Sequence, residues 1–346
     1  MADDIRVREA VESDRDGILE LMRSSLGEGA IPRSLDFWRW KHEENPFGPS
    51  PCLVATAGEE IVGLRVFMRW SWTLGSTRLK AVRAVDTATH PEWRGRGIFS
   101  RLTRGLVDQM TREGVSFVFN TPNPQSRAGY LKMGWRDVGR VTPWVRPMRP
   151  TRLLSSVFSA RLRSSDDDAF EDPPEPPGTD PGELFGRSDV EAFLRAVAPP
   201  ADRLATTRTA TYMRWRYGNV PGTPYRASGE VQGSSGAILV FRLKVRRGKT
   251  RELRFCELLV GDDSESRKVA ARLAKRVLGA TDADFAAIMV VTGGRSAPLL
   301  PRLGFAPAPR LGPIMTVRPL AGEGLSPEEL VQRSSWHTSI GDLELF

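Results

Sequence analysis

The spacing of apolar residues changes period several times along the first 140 positions, and each change predicts a new element. Ile5–Val11 alternate as a strand does, and Asp14–Leu26 carry Ile18, Leu19, Leu21 and Met22 at helical spacing, with Ser13 or Asp14 as the expected cap. A second helix is predicted over Ser34–His42, ending before the turn signal Asn45-Pro46. Three strands follow, Cys52–Thr56, Glu60–Trp72 and Leu79–Thr89, separated by Gly58 and by Leu74-Gly75-Ser76 as in antiparallel hairpins. A helix over Ile98–Glu113, a strand over Ser116–Asn120 and a short helix over Pro124–Met133 complete a mixed α/β pattern.

The pattern then breaks. Ser164–Pro181 hold Asp166-Asp167-Asp168 and two proline pairs, a polar stretch that cannot build a core and reads as a linker. Beyond it the first half is echoed. Arg33–Lys41, rich in aromatic residues and followed by Asn45-Pro46, resembles Arg208–Arg216, followed by Asn219-Val220-Pro221. Lys132-Met133-Gly134-Trp135 likewise resembles Arg302-Leu303-Gly304-Phe305. Two matches in the same order, at nearly the same separation, predict tandem copies of one fold. The expected division is residues 1–150, a linker over 151–184, a second domain over 185–320 and an extension over 321–346.

Chemistry concentrates at the end of the third hairpin strand. Thr87-Ala88-Thr89-His90-Pro91-Glu92-Trp93-Arg94-Gly95-Arg96-Gly97-Ile98-Phe99-Ser100 takes the chain from a strand, through a proline stop, into a helix opened by glycines. Glycines let main-chain N–H groups converge without Cβ atoms in the way, and a helix N-terminus adds partial positive charge. That combination suits a diphosphate, and Arg94 and Arg96 can add charge-assisted bonds. Downstream, Asn123, Ser126, Tyr130 and Gly134-Trp135 stand at steps of three, four and four residues.

These two segments resemble the signatures of the GNAT superfamily of N-acyltransferases, whose loop reads Gln/Arg-x-x-Gly-x-Gly/Ala. Arg94 and Gly97 match, whereas Phe99 stands where the family has a small residue and is expected to narrow the channel for the pantetheine arm. The resemblance implies an α/β, mixed-sheet GNAT-like fold in both halves. It implies acetyl-CoA or another acyl-CoA as co-substrate, with no metal, held by Ala88, Thr89, Arg94, Gly95, Arg96, Gly97, Ile98, Phe99, Ser100, Asn123 and Ser126. It also implies that Tyr130 is the acid that protonates the leaving thiolate. In the second half Leu300 takes the tyrosine's place, and the loop Val260–Arg267 holds one glycine among its acids, which would repel a diphosphate. The second copy is therefore expected to lack the cofactor site.

An attacking amine must lose a proton. Asp86, an acid within an apolar strand, is a candidate base or else half of an ion pair, for example with Arg83; His90 and a water are alternatives. Trp38 and Trp40, with Phe37, are expected to pack rather than to line the acceptor pocket. The net charge of +8 attracts phosphates of any kind, and Arg127–Arg163 is a basic stretch without any nucleic-acid module signature. An RNA amine is thus a weaker expectation than a small primary amine, and a non-catalytic acyl-CoA-binding protein is the rival from another class. Two cysteines, three scattered histidines, an acidic start and no long apolar run predict a cytoplasmic protein without disulfides, metal or membrane span.

Overall fold

The computed structural model describes residues 5–26, 34–152, 176–197, 200–246, 250–289, 295–320 and 324–343. These form two compact units, one of residues 1–139 and 313–335, the other of 140–312 and 336–344.

In the first unit, β1 (Ile5–Glu9) is followed by α1 (Arg15–Leu26). Asp14 does not cap that helix. It closes the turn before it, accepting from the Val11 N–H at 2.7 Å and pairing with Arg8, and Ser13 lies within the same turn. Ser34 caps α2 (Leu35–Trp38), which runs on as a wider π-turn over Arg39–Glu43. Strands β2 (Cys52–Ala57), β3 (Glu60–Leu74) and β4 (Thr77–Thr89) form the expected antiparallel meander. β3 is apolar and buried on both faces, as a central strand must be. Helix α3 (Ile98–Arg112) lays Leu102, Leu106, Val107 and Met110 on the sheet against Leu53, Ala55, Val62 and Val82. β5 (Phe117–Asn120), α4 (Pro124–Lys132) and β6 (Arg136–Arg140) follow. Phe37, Trp38 and Trp40 are buried, consistent with packing.

The second unit starts with β7 (Trp144–Pro147). Helix α5 (Pro181–Phe185) begins inside the stretch expected to be a linker, because Asp180 caps it and Pro181 suits its first turn; residues 153–175 of that stretch lie outside the described residues. After α6 (Ser188–Ala196) and β8 (Leu204–Thr206) comes α7 (Ala210–Met213), capped by Thr209 and continued by a π-turn over Arg214–Gly218. Strands β9 (Arg226–Gln232), β10 (Ser235–Arg246) and β11 (Thr250–Val260) form a second antiparallel meander. Helix α8 (Ser264–Ala280), β12 (Phe285–Ile288), α9 (Leu299–Arg302) and β13 (Ala306–Pro307) complete it. Cys256 is buried, Cys52 is half-buried, and both are free thiols.

The domain boundaries expected at 150 and 320 do not follow the sheets. The first sheet runs β1-β2-β3-β4-β5-β14-β6, with β14 (Ile314–Pro319) antiparallel to β5. The second runs β9-β10-β11-β12-β7-β13, with β7 antiparallel to β12. Each sheet thus receives, beside its parallel pair, the strand that lies in the other half of the chain. Both strands read Val-Arg-Pro, at Val145-Arg146-Pro147 and Val317-Arg318-Pro319. Arg318 donates to the carbonyl of Met133, and Arg146 donates to that of Leu303 at 2.8 Å. A linker is visible in composition, whereas strand partnership is a long-range contact that composition does not encode.

A fragment ending at residue 150 would keep β7 but lose β14, which leaves β5 with an open edge and removes the buried Met315 and Val317. Losing those two side chains alone forfeits about 2–3 kcal/mol each. The fragment is therefore expected to show no cooperative thermal transition by circular dichroism. A sharp, reversible transition would contradict the strand assignment.

Candidate active site

β4 and β5 are paired in parallel only over Ala81–Arg83 and Phe117–Phe119. Past that point β4 continues to Thr89 while β5 ends at Asn120, so the strands part and open a groove. Its cavity is about 400 Å³, lined by Thr87, Ala88 and Thr89 of β4, Arg94, Phe99 at the start of α3, and Asn123, Gln125, Ser126 and Gly129 at α4, with Ser25 at one side. Ala88, Thr89, Arg94, Phe99, Asn123 and Ser126, expected from the sequence as acyl-CoA contacts, therefore share one groove.

Gly95, Arg96, Gly97, Ile98 and Ser100 sit at the entry to α3. Gly95 and Gly97 have φ of +78° and +75°, a left-handed conformation that side chains disfavour, and a Cβ at either would meet nothing within 4 Å among the described residues. Gly97 is the N-cap of α3 and supplies no side-chain acceptor to the first turn. Those N–H groups remain without an acceptor from the cap residue. Arg94 donates to the Ser25 carbonyl at 3.1 Å, and Arg96 stacks over the Trp93 ring at 4.4 Å. Both guanidinium groups are thereby held at the loop.

The second unit presents the contrary arrangement at α8. Asp263 caps that helix, accepting from the Ser266 N–H at 2.8 Å and from the Ser235 hydroxyl at 2.9 Å. The Ser266 side chain and main chain, then Ser235, hold the Asp263 carboxyl well below the usual carboxylate range. The helix start carries its own anion.

Asn123 acts within its own helix: its side chain accepts from the Ser126 N–H at 2.8 Å and the Ser126 hydroxyl at 2.9 Å, capping α4. That fixes the helix bearing Tyr130. Tyr130 is 3% exposed, packed edge-on against Phe99 and tilted against Trp135; it lies next to the groove-lining Gly129. Its phenol oxygen accepts from Arg65 Nη2 at 2.5 Å. Arg65, in the middle of β3, is fully buried, and its Nη1 donates to the Val85 carbonyl at 2.7 Å. Sequence reasoning missed Arg65. The signal was present, since an arginine between Leu64 and Val66 in an apolar strand is as anomalous as Asp86 in the next one.

Asp86 meets a different partner from the one expected. Lys41 Nζ lies 2.7 Å from its Oδ2 and 3.0 Å from its Oδ1, and His42 Nε2 lies 2.8 Å from Oδ2. Burial alone would raise its proton affinity, but the Lys41 charge and the His42 contact reverse this and hold the carboxyl well below the usual range. A carboxylate so stabilised is a weak base. His42 is pushed down by burial, against the opposing pull of Asp86, and is neutral. The carboxylate can only accept, so Nε2 carries the proton and Nδ1 accepts from the Ser50 hydroxyl at 3.1 Å. His90 is no better placed as a base, since it lines a separate cavity with Asp14, Glu20, Glu59 and Glu60.

With this geometry in place, the similarities to known proteins fall into line. Residues 6–138 match the model of the acetyltransferase (GNAT) domain. The N-terminal half carries a GNAT domain. The fold is similar to that of a GCN5-related N-acetyltransferase from Anabaena variabilis ATCC 29413, at 12% identity over 91% of this chain and 72% of that one, TM-score 0.63. A GCN5-related N-acetyltransferase from Kribbella flavida gives 16% identity over 92% and 71%, TM-score 0.58. Saccharomyces cerevisiae N-myristoyltransferase, solved with myristoyl-CoA and inhibitors, gives 11% identity over 100% and 87%, TM-score 0.55. At such identities the likeness speaks for the fold. No curated protein matches in sequence. The GNAT match supports an acyl-CoA-dependent N-acyltransferase. Among the described residues no cluster of side chains could hold a metal ion, and no helix is long and apolar enough to cross a membrane.

The GNAT loop depends on one close contact. A Cβ at Gly63 would approach Ile98 Cγ2 to 2.4 Å, so α3 can start against β3 only because residue 63 is glycine. Gly63→Ala is expected to shift the start of α3, cost roughly 1–3 kcal/mol in stability and weaken acetyl-CoA binding disproportionately. Calorimetric binding and thermal melts would check both; wild-type affinity in this variant would contradict the contact.

Proposed function

We propose that the GNAT domain transfers an acyl group, acetyl in the first instance, from acyl-CoA to a primary amine by direct attack within a ternary complex. The observation that carries this reading is the start of α3: an uncapped helix N-terminus, opened by two left-handed glycines, at the end of a groove lined by strand and helix residues. Its N–H groups and partial positive charge fit a diphosphate. Arg94 and Arg96 are close enough in the loop to turn toward phosphate oxygens, and the edge of β4 near Ala88, where β5 has parted from it, can accept an extended arm by main-chain bonding.

In this reading the amine attacks the thioester carbonyl, the carbon–sulfur bond breaks, and Tyr130 supplies the proton to the departing sulfur. Asp86 is assigned to the ion pair with Lys41 and His42, and the proton of the amine leaves through water. The acceptor is read as a small molecule. Much of the basic stretch is already engaged, with Arg127 on Asp137, Arg136 on Glu328, and Arg149 and Arg152 on Asp282, which leaves little charge for an RNA backbone. Arg161 and Arg163 lie outside the described residues.

We further infer that the second unit is a degenerate copy of the same fold. Supporting this are the matching strand orders, the paired π-turns after Ser34-capped and Thr209-capped helices, and the exchanged Val-Arg-Pro strands. Tyr217 donates to Glu257 at 2.9 Å much as His42 meets Asp86. In this reading the Asp263 carboxylate, which caps its own helix, takes the place that a diphosphate fills in the first unit.

Isothermal titration with acetyl-CoA and a thiol-release assay across primary amines test the assignment. Gly97→Glu, which adds both a like charge and backbone strain, is expected to abolish binding. Tyr130→Phe is expected to bind normally and lose about 100-fold in turnover. Full activity in both variants would overturn the site.

A further inference from the structure

Resting on the proposed acyl transfer, we infer that Arg65 is the positioning residue of the proton donor: its buried guanidinium fixes the Tyr130 phenol oxygen and serves as its counter-charge during transfer.

Arg65 is fully buried, yet no carboxylate pairs with it among the described residues. Its contacts are the Val85 carbonyl, the Tyr130 phenol oxygen and the faces of Phe67, Phe99 and Tyr130, at 5.0, 5.7 and 5.4 Å from its centre. Its Nε has no acceptor among those residues. A buried cation without an anion is costly, and proteins neutralise such groups with a fixed carboxylate unless the site needs the charge for something transient. By donating to the phenol oxygen, Arg65 also directs the phenol hydrogen away from itself. A tyrosine held so is oriented as a donor.

The balance of protons gives the charge its use. When the amine nitrogen bonds to the thioester carbonyl carbon, the carbon–sulfur bond breaks and its electron pair goes to sulfur. The phenol O–H proton passes to that sulfur, giving the free thiol and leaving a phenolate beside Arg65. The proton lost by the amine returns to the phenolate oxygen through water. The only charge the step places on the enzyme is thus an anion at the atom Arg65 touches.

The second unit offers an internal control. Register irregularities fall at matching places in the two meanders, between Arg65 and Phe67 in β3 and between Val240 and Phe241 in β10. Aligned on them, Arg65, opposite Thr87, corresponds to Leu239, opposite Leu258. Tyr130 corresponds to Leu300: the Trp135 N–H bonds to the Tyr130 carbonyl at 3.2 Å, and the Phe305 N–H to that of Leu300 at 2.9 Å. Both leucines are fully buried. Where the helix start is closed by Asp263, the arginine and the tyrosine are absent together. The Lys41–His42–Asp86 cluster, by contrast, keeps a polar counterpart in Tyr217 and Glu257. Arg65 therefore tracks the tyrosine and not the packing of the sheet.

The test combines acetyl-CoA calorimetry with steady-state thiol release on a panel of primary amines, for wild type, Arg65→Met, Arg65→Lys, Tyr130→Phe, the double variant Arg65→Met/Tyr130→Phe, and Arg65→Leu/Tyr130→Leu. The leucine pair copies a core that already packs in the second unit and serves as the folding control. Arg65→Met is expected to lower kcat about 100-fold, the size of a lost acid, with KM and acetyl-CoA affinity within about threefold. Arg65→Lys is expected to regain part of that loss. The double variant is expected to be no slower than Tyr130→Phe alone, because residues acting as one unit are not additive. Additive losses, a loss confined to KM, or an unaffected Arg65→Met would overturn the inference. A wild-type protein that fails to bind acetyl-CoA, or binds it but releases no thiol with any amine, would instead overturn the reading beneath it.

Discussion

The first turn of an α-helix brings several main-chain N–H groups that no residue of the helix can satisfy, and something outside must accept from them. The two units answer this demand in opposite ways. At α8 the chain supplies its own anion, Asp263, whose carboxylate is held by Ser266 and Ser235. At α3 it supplies Gly97, which has no side chain to offer. The groove beside α3 follows from the same choice. Gly63 lets the helix start close to the sheet, the parallel strands β4 and β5 separate where the helix begins, and the cap of Asn123 on Ser126 sets α4 along the other wall.

Buried charge is distributed with the same logic. Lys41, His42 and Asp86 neutralise one another, and a related polar pair, Tyr217 and Glu257, stands in the second unit. Such a cluster pins a π-turn to a strand and has no need of a ligand. Arg65 meets no carboxylate among the described residues. The carboxylate that first invites a catalytic role is the one already matched by fixed partners. The arginine two positions before Phe67 in β3 is the buried charge that meets the Tyr130 phenol oxygen instead.

Much of this was legible in the chain. The helices and hairpins of the first half appear within a few residues of their expected bounds, because apolar period and glycine-proline punctuation are local signals. The glycine loop at the start of α3 was legible for the same reason: Arg94–Gly97 and the helix after it are consecutive in sequence. Residues that meet across strands were not. Nothing local to Asp86 says that Lys41 and His42 reach it, and nothing local to Tyr130 names Arg65 as its partner. The exchange of β7 and β14 lay furthest from view, although Val145-Arg146-Pro147 and Val317-Arg318-Pro319 marked both strands. Their residues say that they are alike, and only pairing says that each belongs with the other half's sheet.

Hydrogen–deuterium exchange with and without saturating acetyl-CoA measures the central contrast directly, since it reads main-chain N–H groups at both helix starts in one experiment. The expected result is strong protection over residues 95–101, with residues 262–268 unchanged because Asp263 already holds that site. Protection at 262–268, or an exchange pattern at 95–101 indifferent to saturating acetyl-CoA, would contradict the account.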